Sequence, residues 1–174
     1  MKRVFVIISL FFFSFHLSAQ KYFTDNAKIT FFSETPLEDI AAVNNRVKVV
    51  FDESKNEIGF QLMIKDFIFK KPLMQEHFNE NYLESDKYPY SRFTGKLSKN
   101  NEDYIAEGKI LIHGVEKDIK AQGNFVKKKS KISLNAEFNI MLDDFDVKIP
   151  KIVMYKIAEE INIKVYAEIT LLND

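Results

Sequence analysis

Apolar and polar side chains alternate across residues 131–142. The apolar positions are Ile132, Leu134, Ala136, Phe138, Ile140 and Leu142. Successive side chains of a β-strand point to opposite faces, so this pattern predicts a long strand. One face of that strand would lie in an apolar interior and the other in water.

The same period of two recurs along most of the chain, with short polar turns between the repeats. Further strands are predicted over residues 27–33, 46–51, 58–64, 93–97, 104–112, 119–125 and 161–171. Gly114-Val115 fits a two-residue type II′ hairpin turn, because that turn takes glycine first. Together these segments predict about eight antiparallel strands that form a barrel or a sandwich.

Three segments carry helical signals instead. A capping box and a proline predict a short helix over residues 36–42. Residues 72–83 change to helical period and predict an amphipathic helix that closes one end of the sheet. Residues 145–149 prolong the preceding strand or start another, and Pro150 begins a third short helix through Glu160. The apolar face of the helix over residues 72–83 is Met74, Phe78 and Tyr82.

The N-terminus has the order of segments found in a secretory signal peptide. A basic start is followed by an apolar run over residues 4–15 and by small residues that end at Ala19. The run is shorter than the roughly 20 residues of a membrane-spanning helix, so cleavage before Gln20 is favoured over an uncleaved anchor. We expect residues 1–19 to be a signal peptide and residues 20–174 to form one exported domain, in the periplasm or outside the cell.

Composition narrows the classes of function. The chain has 174 residues and zero formal net charge, so no strong attraction to nucleic acid is expected. It has no cysteine, which excludes disulfides, cysteine-based zinc sites and thiol chemistry. The run Lys127-Lys128-Lys129 fits a solvated hairpin end; transient contact with anionic lipid headgroups is the alternative.

Candidate catalytic and metal-ligating residues are few. His113 precedes the predicted turn and is expected to be a surface or turn residue. His77 lies beside Glu76 and Glu80, where a solvated helix face is favoured over a metal site. The acids of residues 143–146 resemble the start of a calcium loop but lack its downstream glycine and glutamate. No catalytic triad motif or phosphate-binding loop is present, and we expect a protein that is not an enzyme and has no metal or cofactor.

Small residues interrupt the bulky inward face near the predicted hairpin. The patch consists of Gly108, Ala121, Ala106, Gly123 and Ala136. With the turn at Gly114-Val115, the first four would face each other in two pairs across neighbouring strands. A protein that filled its own interior would gain by placing Leu or Ile there. The patch indicates either room for a ligand or, as is somewhat favoured, a bend in the wall at glycine.

Several motifs, in the same order, resemble the YceI-like family of exported bacterial lipid- or polyisoprenoid-binding barrels. Residues 74–89, MQEHFNENYLESDKYP, resemble the family's helix and Tyr-Pro turn, and residues 93–95, FTG, resemble its next strand. Residues 111–117, LIHGVEK, resemble its hairpin signature, and residues 138–147 resemble its late strand and turn. The resemblance covers most of residues 27–171.

The resemblance implies an elongated, eight-stranded, antiparallel, lipocalin-like barrel with a hydrophobic pocket and no catalytic residues. We therefore expect an all-β protein that sequesters or carries a polyisoprenoid, quinone or fatty-acid derivative, as a monomer or homodimer. The residues predicted to line the pocket are Phe60, Leu62, Tyr104, Gly108, Ile110, Phe125, Leu134, Phe138, Ile163 and Val165. Ordinary core packing is the alternative role for each. The alternative function is an envelope stress or interaction protein that uses a filled barrel as a scaffold for a protein partner.

Overall fold

The alternating segments form one antiparallel sheet in the computed structural model, which describes residues 20–34, 39–148 and 158–172. The strands of the described chain are β1 (Lys21–Ser33), β2 (Ile40–Asp52), β3 (Glu57–Met63), β4 (Ile68–Phe69), β5 (Tyr90–Asn100), β6 (Asp103–Ile112), β7 (Val115–Lys128), β8 (Lys131–Met141) and β9 (Glu160–Leu171). The helical segments are α1 (Pro72–His77), a π-helical turn (Phe78–Tyr82) and 3₁₀ turns at Ile64–Asp66 and Leu142–Phe145.

Eight of these strands close into a barrel. Their order is β1-β9-β8-β7-β6-β5-β3-β2, and β1 also pairs with β2. Because the ring is closed, none of the eight strands presents a long free edge. β4 is an additional short strand that pairs with the beginning of β2 at Ala42 and Val43. The predicted all-β, eight-stranded, antiparallel, lipocalin-like barrel is confirmed.

The two ends of the barrel differ in how they are filled. We call the end where β1 begins and β7 ends the filled end, and the opposite end the cavity end. At the filled end the rings of Tyr22, Phe51, Phe125 and Tyr104 follow one another, with successive centroids 6.1, 5.1 and 5.0 Å apart. Tyr22 and Phe51 are buried, so side chains of the protein occupy the interior here.

The lysine run lies at the filled end. Lys127 Nζ is 2.6 Å from Glu53 Oε1 and 5.4 Å from the centroid of the Tyr22 ring. The hydrogen bond to Glu53 raises the pKa of Lys127. Lys127 is therefore ion-paired with Glu53 at the filled end, and it lies at the opposite end of the barrel from the cavity.

The β6–β7 hairpin differs from its predicted geometry. The turn residues are His113 and Gly114, with φ angles of 50° and 77°, which is the pattern of a type I′ turn. Gly108 therefore pairs with Ile119, and not with Ala121. The register moves by an even number of residues, so the side chains that were predicted to face inward still do.

Two predicted local structures are wrong where the structure describes them. Residues 40–42 begin β2 and are not the end of a helix; Ala42 is buried and pairs with Phe31 of β1, so sheet pairing overrides the local helical signal. Leu142–Phe145 is a 3₁₀ turn and not a continued strand. Its turn is closed by the Val147 N–H, which donates to Leu142 O at 3.2 Å.

Other predictions fall outside the described residues. Residues 1–19, the predicted signal peptide, are among them, as are residues 35–38 and 149–157, which hold the remainder of two predicted helices. The helix predicted over residues 72–83 is confirmed as α1 and the π-helical turn that follows it.

Candidate binding cavity

A cavity of about 200 Å³ lies inside the barrel at the cavity end. Its wall is built from the inward-facing residues of the barrel strands, and the helical segment that follows β4 covers it at the cavity end. The side chains that face it are overwhelmingly apolar; among the described residues, those of the lining with polar groups are Ser33, Gln61, Tyr82, Ser91 and Arg92. Such a cavity excludes water and favours an apolar ligand.

The helical segment Pro72–Tyr82, which we call the cap, covers the cavity through one ring in particular. Phe78 stacks on Phe31 of β1, with ring centroids 5.4 Å apart and planes at 22°. The centroids of Phe67 and Phe69 lie 5.6 and 4.9 Å from that of Phe78. Neither α1 nor the π-helical turn contains a fully buried residue, so these aromatic contacts are the main attachment of the cap to the barrel. π-helical turns of this kind are common at functional sites.

Alanine and glycine have different roles in the wall. Ala106, Ala121 and Ala136 all line the cavity, and their small side chains leave the space that larger residues would fill. Gly108 does not line it; a Cβ there would lie 2.2 Å from the carbonyl oxygen of Thr94. The glycine permits close approach of β5 and β6, whereas the three alanines leave open space in the cavity; whether a ligand uses that space stays a prediction.

The polar groups of the wall are mostly occupied. Ser91 Oγ donates to the carbonyl oxygen of Leu111 at 2.7 Å, and Ser33 Oγ accepts from the N–H of Ala158 at 2.9 Å. Gln61 and Arg92 are exposed and face each other across β3 and β5. The cavity interior therefore offers a ligand little beyond hydrocarbon contact.

Six of the ten residues predicted to line the pocket lie on the cavity wall. They are Phe60, Leu62, Ile110, Phe138, Ile163 and Val165. The predicted closing residues Met74, Phe78 and Tyr82 line it as well. Whether these residues contact a ligand stays a prediction.

The other four predicted residues lie away from the cavity. Tyr104 and Phe125 belong to the aromatic chain of the filled end, and Leu134 is buried on β8 beside it. Gly108 packs against the backbone of β5. All four occupy inward-facing positions of the alternating pattern, which is why they were predicted to line the pocket. The alternation does not indicate how far along the barrel axis a residue lies.

Several wall residues were not predicted. Phe67 and Phe69 flank the exposed Ile68 and point inward at the base of the cap. Their alternation with Ile68 was a usable signal. Phe145 and Val147 also line the cavity, and their inward position depends on the 3₁₀ turn that the sequence pattern does not indicate.

His113 joins three elements around the cavity end. Its ring nitrogens lie 3.0 Å from the carbonyl oxygen of Phe145 and 3.0 Å from Glu84 Oε2. The His113 side chain is only 11% exposed, so of the two expected positions, surface or turn, the structure shows the turn. Both partners, a carbonyl oxygen and a carboxylate oxygen, are hydrogen-bond acceptors. The histidine thereby fixes the hairpin tip to the turn of β8 and to the end of the cap.

Tyr82 is the titratable side chain on the cavity side of the cap. Burial raises the pKa of its hydroxyl above the ordinary value of 10.0. In residues 20–34, 39–148 and 158–172, no cluster of His, Cys, Asp or Glu side chains is arranged to hold a metal ion. The helical segments of the described chain fall short of the length and apolarity that crossing a bilayer requires.

Comparison with solved structures finds the same fold. The Burkholderia cenocepacia protein BcnA is 14% identical, with a TM-score of 0.73 over 83% of this chain and 96% of its own. A polyisoprenoid-binding domain from Saccharophagus degradans, implicated in plant cell wall breakdown, is 10% identical, with a TM-score of 0.75 over 88% and 99% of the two chains. The Campylobacter jejuni YceI protein is 22% identical, with a TM-score of 0.60 over 82% and 86%.

Comparison of the sequence with known families and proteins gives the assignment. None of the curated proteins matches this chain. The family model described as the YceI-like domain matches residues 17–169, which includes β1 to β8, the cap and all but the last two residues of β9. The chain therefore belongs to the YceI-like family.

Proposed function

We propose that the protein binds a slender apolar molecule in the cavity beneath the cap. The observation that carries this proposal is a closed barrel that is packed at one end and hollow at the other, with an apolar lining in the hollow part. Protein interiors are normally packed to crystal-like density. A void bounded by alanines at the centre of the wall is costly unless a ligand uses it.

The ligand class that fits this wall is a lipid or polyisoprenoid chain. The wall presents mainly aliphatic and phenylalanine side chains, and the one charged residue among its described members, Arg92, is exposed and points outward. The inserted part of the ligand is therefore uncharged hydrocarbon, and its head lies outside or at the rim. The similar Saccharophagus degradans domain is described as polyisoprenoid-binding, which supports this class over other apolar ligands; quinones and fatty-acid derivatives remain within the proposal.

The size of the cavity limits how much of the chain it holds. An apolar cavity of ~150 Å³ takes up benzene, so a cavity of about 200 Å³ accommodates roughly eight carbon atoms. Burying them contributes about 6 kcal/mol at ~0.8 kcal/mol per carbon. Association costs at least ~4 kcal/mol, so the cavity at this size supports only weak binding. Tight capture needs the cap to move and the cavity to lengthen, and the cap is a part of the wall that no strand ladder holds.

We also propose export and a binding role without catalysis. The N-terminal sequence pattern and the family resemblance support secretion to the periplasm or beyond. The polar groups of the cavity wall are scattered and mostly engaged in structural hydrogen bonds, which supports a carrier or scavenger and gives no support to an enzyme. A protein partner on a filled barrel is less well supported, because the interior is hollow at one end.

The test is to identify what the protein carries. The protein is purified from its own cell envelope without detergent and examined by native mass spectrometry, followed by solvent extraction and lipid analysis. We expect a mass increment that corresponds to one prenyl, quinone or acyl species. A spectrum of ligand-free protein alone, together with no uptake of added prenols or fatty acids, would refute the proposal.

A further inference from the structure

Exposed apolar side chains gather around the cavity end. Of the ten large apolar residues that are exposed in the described part of the chain, six lie at this end. They are Phe32, Met63, Ile68, Leu73, Tyr90 and Met141. Within this set Met63 and Tyr90 are direct cross-strand partners, and contiguous exposed apolar patches mark sites of contact with proteins or membranes.

Two of the six stand out by position and exposure. Ile68 in β4 is 59% exposed and Leu73 at the start of α1 is 61% exposed, the highest values in the set. Each has inward-pointing neighbours, Phe67 and Phe69 for Ile68 and Met74 for Leu73, that line the cavity. Ile68 and Leu73 are therefore the outer surface of the elements whose inner surface covers the ligand site.

The charges around this pair have one predominant sign. Residues 65–73 contain three lysines and one aspartate; Lys65 pairs with Asp86 and Asp66 with Arg46, so Lys70 and Lys71 are the source of positive charge between Ile68 and Leu73. Lys70 and Lys71, which separate Ile68 from Leu73, are exposed. Glu76 and Glu80 lie farther along the cap, so the positive charge of Lys70 and Lys71 lies in the link between β4 and α1. Lysines beside exposed apolar side chains match the anionic headgroups and acyl boundary of a bilayer.

We propose that the cavity end docks, cap first, on a bilayer that contains anionic lipid. Ile68 and Leu73 enter the interface, and Lys70 and Lys71 lie at the level of the headgroups. This inference rests on the proposed function, because an apolar ligand then passes between bilayer and cavity without crossing water. The cap is suited to open there, since it contains no fully buried residue. A 3.4 Å hydrogen bond from the Phe69 N–H to Gln75 Oε1 links it to β4.

A tryptophan reporter tests the docking face directly, because the native chain contains no tryptophan. Leu73→Trp and the matched control Val126→Trp, at a 49% exposed position near the filled end, are mixed with vesicles of phosphatidylcholine and phosphatidylglycerol. We expect a blue shift of emission for Leu73→Trp only. Equal shifts at both positions, or none at either, would overturn the proposal. A blue shift of Leu73→Trp that grows with protein concentration in the absence of vesicles would overturn it too, by assigning the surface to a second copy of the chain.

Charge variants test the lipid class. Lys70→Gln and Lys71→Gln should each weaken binding to the mixed vesicles by about fivefold. The control is Lys128→Gln with Lys131→Gln at the filled end, for which binding should stay unchanged. Equal binding of the native protein to pure phosphatidylcholine vesicles, or equal loss in the control, contradicts the anionic docking surface.

A transfer measurement separates this proposal from the proposed function. The native protein and the double variant Ile68→Asn/Leu73→Asn are compared for uptake of cis-parinaric acid, first from vesicle-free solution and then from vesicles. We expect equal uptake from solution and roughly tenfold slower transfer from vesicles for the variant. Normal uptake from solution, with equal transfer rates from vesicles for the native protein and the double variant, would refute the docking proposal and leave the proposed function intact. Failure of the native protein to take up the fatty acid from solution counts against the proposed function, whatever the tryptophan reporter shows.

Discussion

Ala121 offers a direct test of where the ligand lies, because it is a small side chain on the cavity wall. It is 6% exposed and pairs with Ala106 across β6 and β7. Ala121→Leu adds Cγ, Cδ1 and Cδ2 to the cavity and displaces roughly three of the roughly eight ligand carbons. At ~0.8 kcal/mol per carbon, the loss of ~2.4 kcal/mol weakens binding by about fiftyfold.

A second buried alanine provides the matched control. Ala167 on β9 is 0% exposed, pairs with Leu134 and lies outside the cavity lining. Leucine there would overpack the core and cost ~1–3 kcal/mol, with a fall in Tm of about 2–4 °C for each kcal/mol. Ala121→Leu places its new atoms in a void, so its Tm should stay within about 2 °C of the native value.

The assay is displacement of a fluorescent fatty acid by prenols, with thermal unfolding measured on the same samples. Ala121→Leu should remain folded and lose most of its affinity, while Ala167→Leu should lose stability. Native affinity in a folded Ala121→Leu variant would place the ligand elsewhere. A fall in Tm as large as that of Ala167→Leu would show that the space beside Ala121 is not open.

Three further changes test other parts of the structure. Gly108→Ala should lower Tm by more than Gly59→Ala does. The new Cβ would lie 2.2 Å from Thr94 O at position 108, whereas at position 59 its nearest contact would be Phe93 O at 3.7 Å. Similar Tm values for the two variants would contradict the close approach of β5 and β6. His113→Asn, which tolerates the same positive φ, should lower the free energy of unfolding in urea by about 2 kcal/mol through loss of the ring hydrogen bonds, and an unchanged urea midpoint would exclude that role. Because burial raises the pKa of Tyr82, the folded state keeps the hydroxyl proton to higher pH than the unfolded state does. The free energy of unfolding should therefore fall as pH rises above about 10, and Tyr82→Phe should reduce that fall. The same dependence on alkaline pH in both proteins would exclude Tyr82 as its source.

The face of each strand could be predicted from the sequence, because side-chain parity is a local property. Residues 161–171 and 131–142 alternate without interruption, and the inward set of β8 and β9 is the predicted one. The pairing register of the β6–β7 hairpin was harder to predict from the sequence. A glycine turn was expected to begin at Gly114, whereas the turn begins at His113 with φ of 50°, a conformation that few residues other than glycine adopt.

The alternation of apolar and polar residues does not predict where along the barrel axis the cavity lies. Phe138 and Leu134 are both inward on β8, yet Phe138 lines the cavity and Leu134 lies in the packed half. The difference depends on the stagger between strands and on which residues the cap covers, and these are set by closure of the whole barrel. The alternation of Phe67, Ile68 and Phe69 was the one local signal that would have located the base of the cap.

The unequal ends of the barrel explain how a small β-protein can keep a hollow interior. A void lowers stability in proportion to its size, and the loss must be offset by packing elsewhere. The filled end provides that packing: Tyr22, Ile132 and Ile169 are almost completely buried there. Because the closed strand ladder and the filled end hold the fold, the cap need not contribute much to stability. It can therefore yield to a ligand at little cost, since the regions that open most readily in proteins are those with few buried contacts.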